Sequence, residues 1–154
     1  MAIKLTIEVH REFTVPASID TVFDLLSDVP RSASFFPKVD QLIDLNDGVF
    51  RWEMEKISVG KHSLQSIYAC HYESNKAEGS IVWKAVKGVG NGLVSGNWKL
   101  TDTTEGTHIV FATDADMTLP LPSLLKLAIS PVVKHEFNGL IDTYTQNLKT
   151  EFSR

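Results

Sequence analysis

Apart from Cys70 the chain has no cysteine, which excludes an internal disulfide and any cysteine-rich metal site. A reducing cytoplasm is the expected compartment for so thiol-poor a protein. An excess of basic charge is missing as well: 15 basic residues stand against 19 acidic ones, for a net charge of -4, and the basic ones are scattered. Nucleic acid is therefore not an expected partner, because counterion-releasing contact needs a basic patch. No stretch reaches the roughly 20 predominantly apolar residues that a bilayer-spanning helix requires. The opening MAIKLTIEVHREF alternates in polarity and lacks the apolar block of a signal peptide, so secretion is not expected.

What is present is an ordinary globular composition. Hydrophobic residues make up 43% and charged residues 22% of 154, with no repeat or low-complexity tract, so residues 1–154 read as one domain with one core. Leu5, Ile7, Val9, Phe13 and Val15 share one parity against Lys4, Thr6, Glu8, His10 and Glu12, the pattern of a half-buried strand. Pro16 ends it, and Ser18 can cap a helix whose Ile19, Val22, Phe23 and Leu26 lie on one face. Pro30 should stop that helix near Val29. Pro30 to Val39 then reads as a single helical turn laying Phe35 and Phe36 on the core.

Strands follow. Asn46-Asp47-Gly48 marks a hairpin, since all three residue types tolerate positive φ, and Phe50, Trp52 and Met54 alternate with Arg51, Glu53 and Glu55 beyond it. Val59-Gly60-Lys61 marks a further turn, and one long strand is expected from about His62 to Tyr72. A strand over Ser80–Val86, a loop over Gly88–Gly92 that opens a strand with Val94, Gly96, Trp98 and Leu100 on one parity, and a strand from the TDTTEGT hairpin to Met117 complete the set. The last segment carries Val133, Phe137, Leu140, Tyr144, Leu148 and Phe152 at helical spacing, predicting a helix of about 31 Å over 132–152. Gly139 within it suggests a close approach to the sheet. Tight turns make consecutive strands antiparallel, and only the terminal helix is long enough to cover their apolar face.

The stretch LPLPSLLKLAISPVV, Leu119 to Val133, is the most apolar part of the chain but is broken by Pro120, Pro122 and Pro131. A short amphipathic turn over 121–130 is expected, with a break or kink at Pro131. Two readings stand. Leu124, Leu125 and Ala128 could close over a ligand as a lid, or the segment could simply pack on the core.

VPASIDTVFDLLSDVPRSASFFPKV, GNWKLTDTTEGTHIVF and the long final helix together resemble the START-related (SRPBCC) superfamily, nearest the polyketide cyclase/dehydrase and coenzyme Q-binding branch. The resemblance covers nearly the whole chain. It implies an α+β helix-grip fold, in which a curved antiparallel sheet of about seven strands surrounds the C-terminal helix and two short helices lie between the first two strands. It further implies a deep apolar pocket for a hydrophobic small molecule. Its motifs specify a fold and no reaction.

Fourteen residues are candidates for that pocket. Strand parity turns Trp52, Met54, Ser66, Tyr68, Trp83, Trp98, Phe111 and Thr113 inward, and the helix adds Phe137, Leu140 and Tyr144. Leu124 and Ala128 belong to the lid reading. Arg11 is the anomaly, a cation on the apolar parity of the first strand. It could hold an acidic or carbonyl head group, or it could pair with a carboxylate at the sheet rim.

Asp114, Asp116 and His108 share a face opposite Ile109 and Phe111, so they read as solvated rather than catalytic. Cys70 reads as a small core residue. No catalytic residue, metal site or cofactor is expected. Three functions follow: a carrier or sensor of a lipid, quinone or polyketide-like molecule; a cyclase that polarises a carbonyl; and an adaptor recruiting a partner protein or a membrane lipid. Transient contact with a membrane surface is compatible with all three.

Overall fold

The structure, a computed structural model, describes residues 2–154. β1 (Ile3–Val15) runs into α1 (Ile19–Ser27) and α2 (Val29–Ala33). β2 (Val39–Asp44), β3 (Val49–Met54), β4 (Ile57–Val59), β5 (His62–Leu64), β6 (Ile67–Asn75), β7 (Ser80–Ala85), β8 (Gly92–Thr103) and β9 (Gly106–Leu119) follow, and after a 3₁₀ turn at Ser123–Leu125 α3 (Lys126–Phe152) ends the chain. Seven strands form one antiparallel sheet in the order β1-β9-β8-β7-β6-β3-β2, while β4 and β5 make a separate two-stranded ribbon. This is the helix-grip fold that the resemblance implied, with α3 held against the sheet's concave face.

Local chemistry explains the elements. The Ser18 hydroxyl caps α1 by accepting from the Thr21 N–H, and Asp28 then ends α1 and caps α2 by accepting from the Arg31 N–H. α1 thus closes at Ser27, earlier than Pro30 alone would require, and Pro30 sits in the first turn of α2, where its missing N–H costs nothing. Asn46, Asp47 and Gly48 all have positive φ and turn β2 into β3 as anticipated. The alternation in β1 and β9 buries every second side chain except that of Arg11, placing Val9, Phe13, Ile109 and Phe111 in the main core.

Three expectations are corrected. The strand expected over 62–72 is two strands: the chain leaves the sheet at Gln65 and Ser66, where the Asn91 side chain accepts from the Ile67 N–H and donates to the Gln65 carbonyl. The ribbon released by that break supports a second, smaller apolar cluster, in which Leu64 packs with Ile3, Leu5, Leu119, Leu121 and Ile129. The terminal helix starts at Lys126 and passes through Pro131, reaching 27 residues or about 40 Å. The hydrogen bond Pro131 forgoes would reach back to Leu127, which stands in water, so solvent can serve that carbonyl. Gly139 approaches nothing: a Cβ there would meet no atom within 4 Å.

Candidate ligand-binding site

Two small chambers lie between the sheet and α3. The inner one, about 50 Å³, is walled by Trp83, Trp98 and Phe111 from the sheet, Ser32 from α2, and Ile141 and Tyr144 from α3. The outer one, about 60 Å³, is walled by Met54, Ser66, Met117, Ile57 and Leu64 on one side and Val133 and Leu140 on the other. Phe36, Tyr68, Val94 and Phe137 line both and form the partition between them. Each void holds a water or two, far less than the several hundred Å³ of a drug-sized pocket.

The inner chamber is an aromatic cage. Trp98 and Phe111 have ring centroids 4.5 Å apart, Phe36 and Tyr144 4.8 Å, and Trp83 and Phe111 5.7 Å. Gly96 makes this possible. It pairs with Trp83 across β7 and β8, and a Cβ on it would lie 2.6 Å from the indole and 2.4 Å from the Ala112 carbonyl oxygen.

Polar groups in the cage are few and mostly satisfied. The Tyr144 hydroxyl shares a short hydrogen bond with Ser32, Trp52 Nε1–H donates to the Tyr72 hydroxyl at 3.0 Å, and the Thr113 hydroxyl donates to the Ser95 carbonyl at 3.0 Å. Tyr68 differs. Among the described residues its hydroxyl has no hydrogen-bond partner, although the ring stacks on Trp52 at 6.1 Å.

Burial sets the protonation of this interior. It raises the phenols of Tyr68, Tyr72 and Tyr144 well above their ordinary range, so all three are neutral donors at physiological pH. It also pushes the Cys70 thiol up to about 12, against a smaller lowering by Tyr72, and the thiol donates to the Val94 carbonyl at 3.3 Å. A thiol so held is no nucleophile.

The outer chamber has a charged rim. Lys38, in a left-handed backbone conformation with φ 58°, reaches across to Glu136 of α3 at 2.9 Å, with Glu55 beside them. The carboxylate raises the lysine further above its ordinary value, chiefly through their hydrogen bond.

Of the fourteen candidates, eleven stand on these walls. Trp52, Trp83, Trp98, Phe111, Thr113 and Tyr144 face the inner chamber, Met54, Ser66 and Leu140 the outer one, and Tyr68 and Phe137 both. The geometry places three elsewhere. Arg11 projects toward α3 and is held there by Asp142 at 2.8 Å and Asn138 at 3.1 Å, so the carboxylate partner is internal. Leu124 and Ala128 point into solvent, on the opposite side of their turn from Leu125 and Ile129.

Sequence reasoning passed over Tyr72, which shares the inward parity of Ser66 and Tyr68, and read Cys70 only as a small core residue and the partition residue Phe36 only as laid on the core. Lys38 carried no usable signal, since its position depends on a backbone turn and a partner 98 residues away. Among the described residues no group of three or more His, Cys, Asp or Glu is placed to hold a metal ion, and no helix is long and apolar enough to cross a membrane.

Solved structures share this architecture. TTHA0849 of Thermus thermophilus superposes with a TM-score of 0.61 at 15% identity, over 97% of this chain and 100% of that one. The Zhui aromatase/cyclase of a Streptomyces species gives 0.60 at 14%, over 95% and 90%. A START superfamily protein of Mycobacterium smegmatis gives 0.60 at 16%, over 98% and 96%. At such identities the likeness is one of fold. A search of the curated proteins found no match. Residues 6–153, nearly the whole chain, match the family described as polyketide cyclase / dehydrase and lipid transport, and the protein belongs to that family.

Proposed function

We propose that the protein binds one hydrophobic or amphipathic small molecule, of lipid, quinone or polyketide type, between sheet and α3, and acts as its carrier or sensor. The observation that carries this reading is the partition. Phe36, Val94, Tyr68 and Phe137 divide one aromatic-lined interior into two chambers, and among them only Tyr68 offers a polar atom, an unpartnered phenol.

As they stand the chambers are too small for such a guest, so binding must move the partition. Phe36, on the short connection before β2, and Phe137, on α3, are only half-buried, so they are the partition residues with a way out, although Phe36 gives up its ring contacts with Trp52 and Tyr144 when it moves. The joined space would take an apolar body in the aromatic cage, where burial supplies affinity. A polar end would then lie by Lys38, Glu55 and Glu136 at the outer rim.

A second reading has one observation in its favour. The neutral phenol of Tyr68 could donate to a ligand carbonyl and so assist cyclisation of a bent poly-carbonyl chain, with proximity doing most of the work. Cys70 has no part in either reading.

Native mass spectrometry of freshly purified protein, with titration of a fluorescent fatty-acid analogue, tests the proposal. One retained small molecule or one saturable probe site per chain is expected. Tyr68→Phe should weaken the probe about two- to tenfold, the worth of one hydrogen bond. A protein with no retained species and no saturable site would overturn the carrier reading. Loss of poly-carbonyl turnover in Tyr68→Phe with affinity intact would favour the cyclase.

A further inference from the structure

Three of the four large hydrophobic residues exposed among the described residues fall within nine positions at the start of α3. Leu124 and Leu127 are each 92% exposed and Val132 is 45% exposed. The turn is apolar on both sides. Leu125, Ile129 and Val133 face the second apolar cluster, while Leu124, Leu127, Ala128 and Pro131 follow the i, i+3, i+4, i+7 pattern on the side facing solvent. A helix apolar all round is normally covered on all sides. Here one side is bare.

Charge around this face departs from the rest of the molecule. Although the chain is net acidic at -4, no Asp or Glu occurs from Met117 to His135, while Lys126, Lys134 and His135 do, and all three are exposed. The β4–β5 ribbon, which packs on the same cluster through Ile57, Val59 and Leu64, likewise has no carboxylate from Lys56 to Tyr72 and exposes Lys56, Lys61 and His62. Glu55 and Glu136 bound the region, and Glu136 is engaged by Lys38. Two leucines 92% exposed, with Lys126 and Lys134 on α3 and Lys56 and Lys61 at the ribbon that packs on the same cluster, form an apolar tip with a basic surround.

We propose that this tip docks on an anionic lipid surface, with Leu124 and Leu127 entering the interface and Lys56, Lys61, Lys126 and Lys134 facing the headgroups. The match of a basic surround to anionic headgroups argues for lipid. Size argues against a second copy or a folded partner, because two leucines and a valine fall far short of the roughly 800 Å² per partner that a stable protein interface buries. The docked face adjoins the outer chamber, since Ile57, Leu64 and Val133 belong both to its underlying cluster and to that chamber's wall. The surface stands on its own, however, and requires no ligand in the interior.

The test is co-sedimentation of the full chain with vesicles of phosphatidylcholine alone and of phosphatidylcholine mixed with phosphatidylglycerol. Binding to the anionic vesicles should be at least about tenfold tighter, as lysines near such a surface contribute about a factor of five each. Raising the salt should weaken it. L124E/L127E should drop to background while its thermal unfolding and interior probe binding match the wild type, because both side chains are already in water. K126E/K134E should lose the preference for anionic vesicles. Absence of vesicle binding, equal binding to neutral vesicles, or undiminished binding by L124E/L127E would overturn the proposal. A wild-type dimer in light scattering that L124E/L127E dissolves would also overturn it, by making a second copy the occupant.

Discussion

Alkaline pH should unfold this protein from the inside, and the loss can be worked out group by group. Cys70, Tyr68, Tyr72 and Tyr144 hold their protons more tightly in the folded state than in the unfolded chain, chiefly because burial disfavours their charged forms. Below the unfolded pKa both states carry the proton and stability does not change. As pH rises past that value only the unfolded state ionises, so stability falls until the folded pKa is reached. For Cys70 the window runs from 9.0 to about 12. At about pH 11 the thiol alone should cost about 3 kcal/mol, at about 1.4 kcal/mol per pH unit.

Each phenol, with an unfolded value near 10, adds about 1.4 kcal/mol at the same pH. Together the four groups remove about 7 kcal/mol, which is comparable to the whole stability of many domains of this size. Urea unfolding followed by tryptophan fluorescence at about pH 8, 9.5 and 11 measures the change. Cys70→Ser, which keeps a donor for the Val94 carbonyl, should abolish the early part of the loss, and Tyr68→Phe should flatten only the later part. Differences between variant and wild type cancel the titration of surface lysines. A wild type whose stability is flat from about pH 8 to pH 10, or a Cys70→Ser variant that falls as steeply, would refute the picture of a dry, neutral interior.

Other perturbations probe different parts of the argument. Gly96→Ala drives a methyl into the Trp83 ring and the Ala112 carbonyl and should cost about 1–3 kcal/mol or more, read as a lower urea midpoint at unchanged slope. Phe36→Ala opens the partition: about 2–3 kcal/mol of stability should be lost, less than for a fully buried phenylalanine, while binding of a fluorescent hydrophobic probe increases. A variant that loses stability without gaining probe would place the partition elsewhere. Arg11→Ala should cost at most about 1 kcal/mol and leave probe affinity unchanged, because its pair with Asp142 is partly solvated, at 29% and 62% side-chain exposure. A large fall in affinity would return Arg11 to the ligand.

Most of the fold was legible in the chain, because it rests on patterns a few residues long. Parity in β1 and β9, the Asn46-Asp47-Gly48 turn and the Ser18 cap are local and were met by the structure. Where long-range contacts intervened, local reasoning failed. Asn91 draws the chain out of the sheet at Gln65 from 26 residues away, splitting what reads as one strand. Pro131 should break a helix, yet both ends of its turn are held, one by Leu125 and Ile129 on the second cluster and the other by the stripe that continues to Phe152.

The candidate site divides the same way. Which side chains face inward is a matter of period, two along a strand and 3.6 along a helix, and that much the residues alone determined, for Trp52, Trp83, Trp98, Phe111 and Tyr144 among others. How much room those side chains leave, that Phe36, Tyr68 and Phe137 line both chambers, and that Arg11 spends its charge on Asp142 were decided only by tertiary packing. Volume and pairing are properties of elements brought together from distant parts of the chain, and no period along one of them encodes the gap between two.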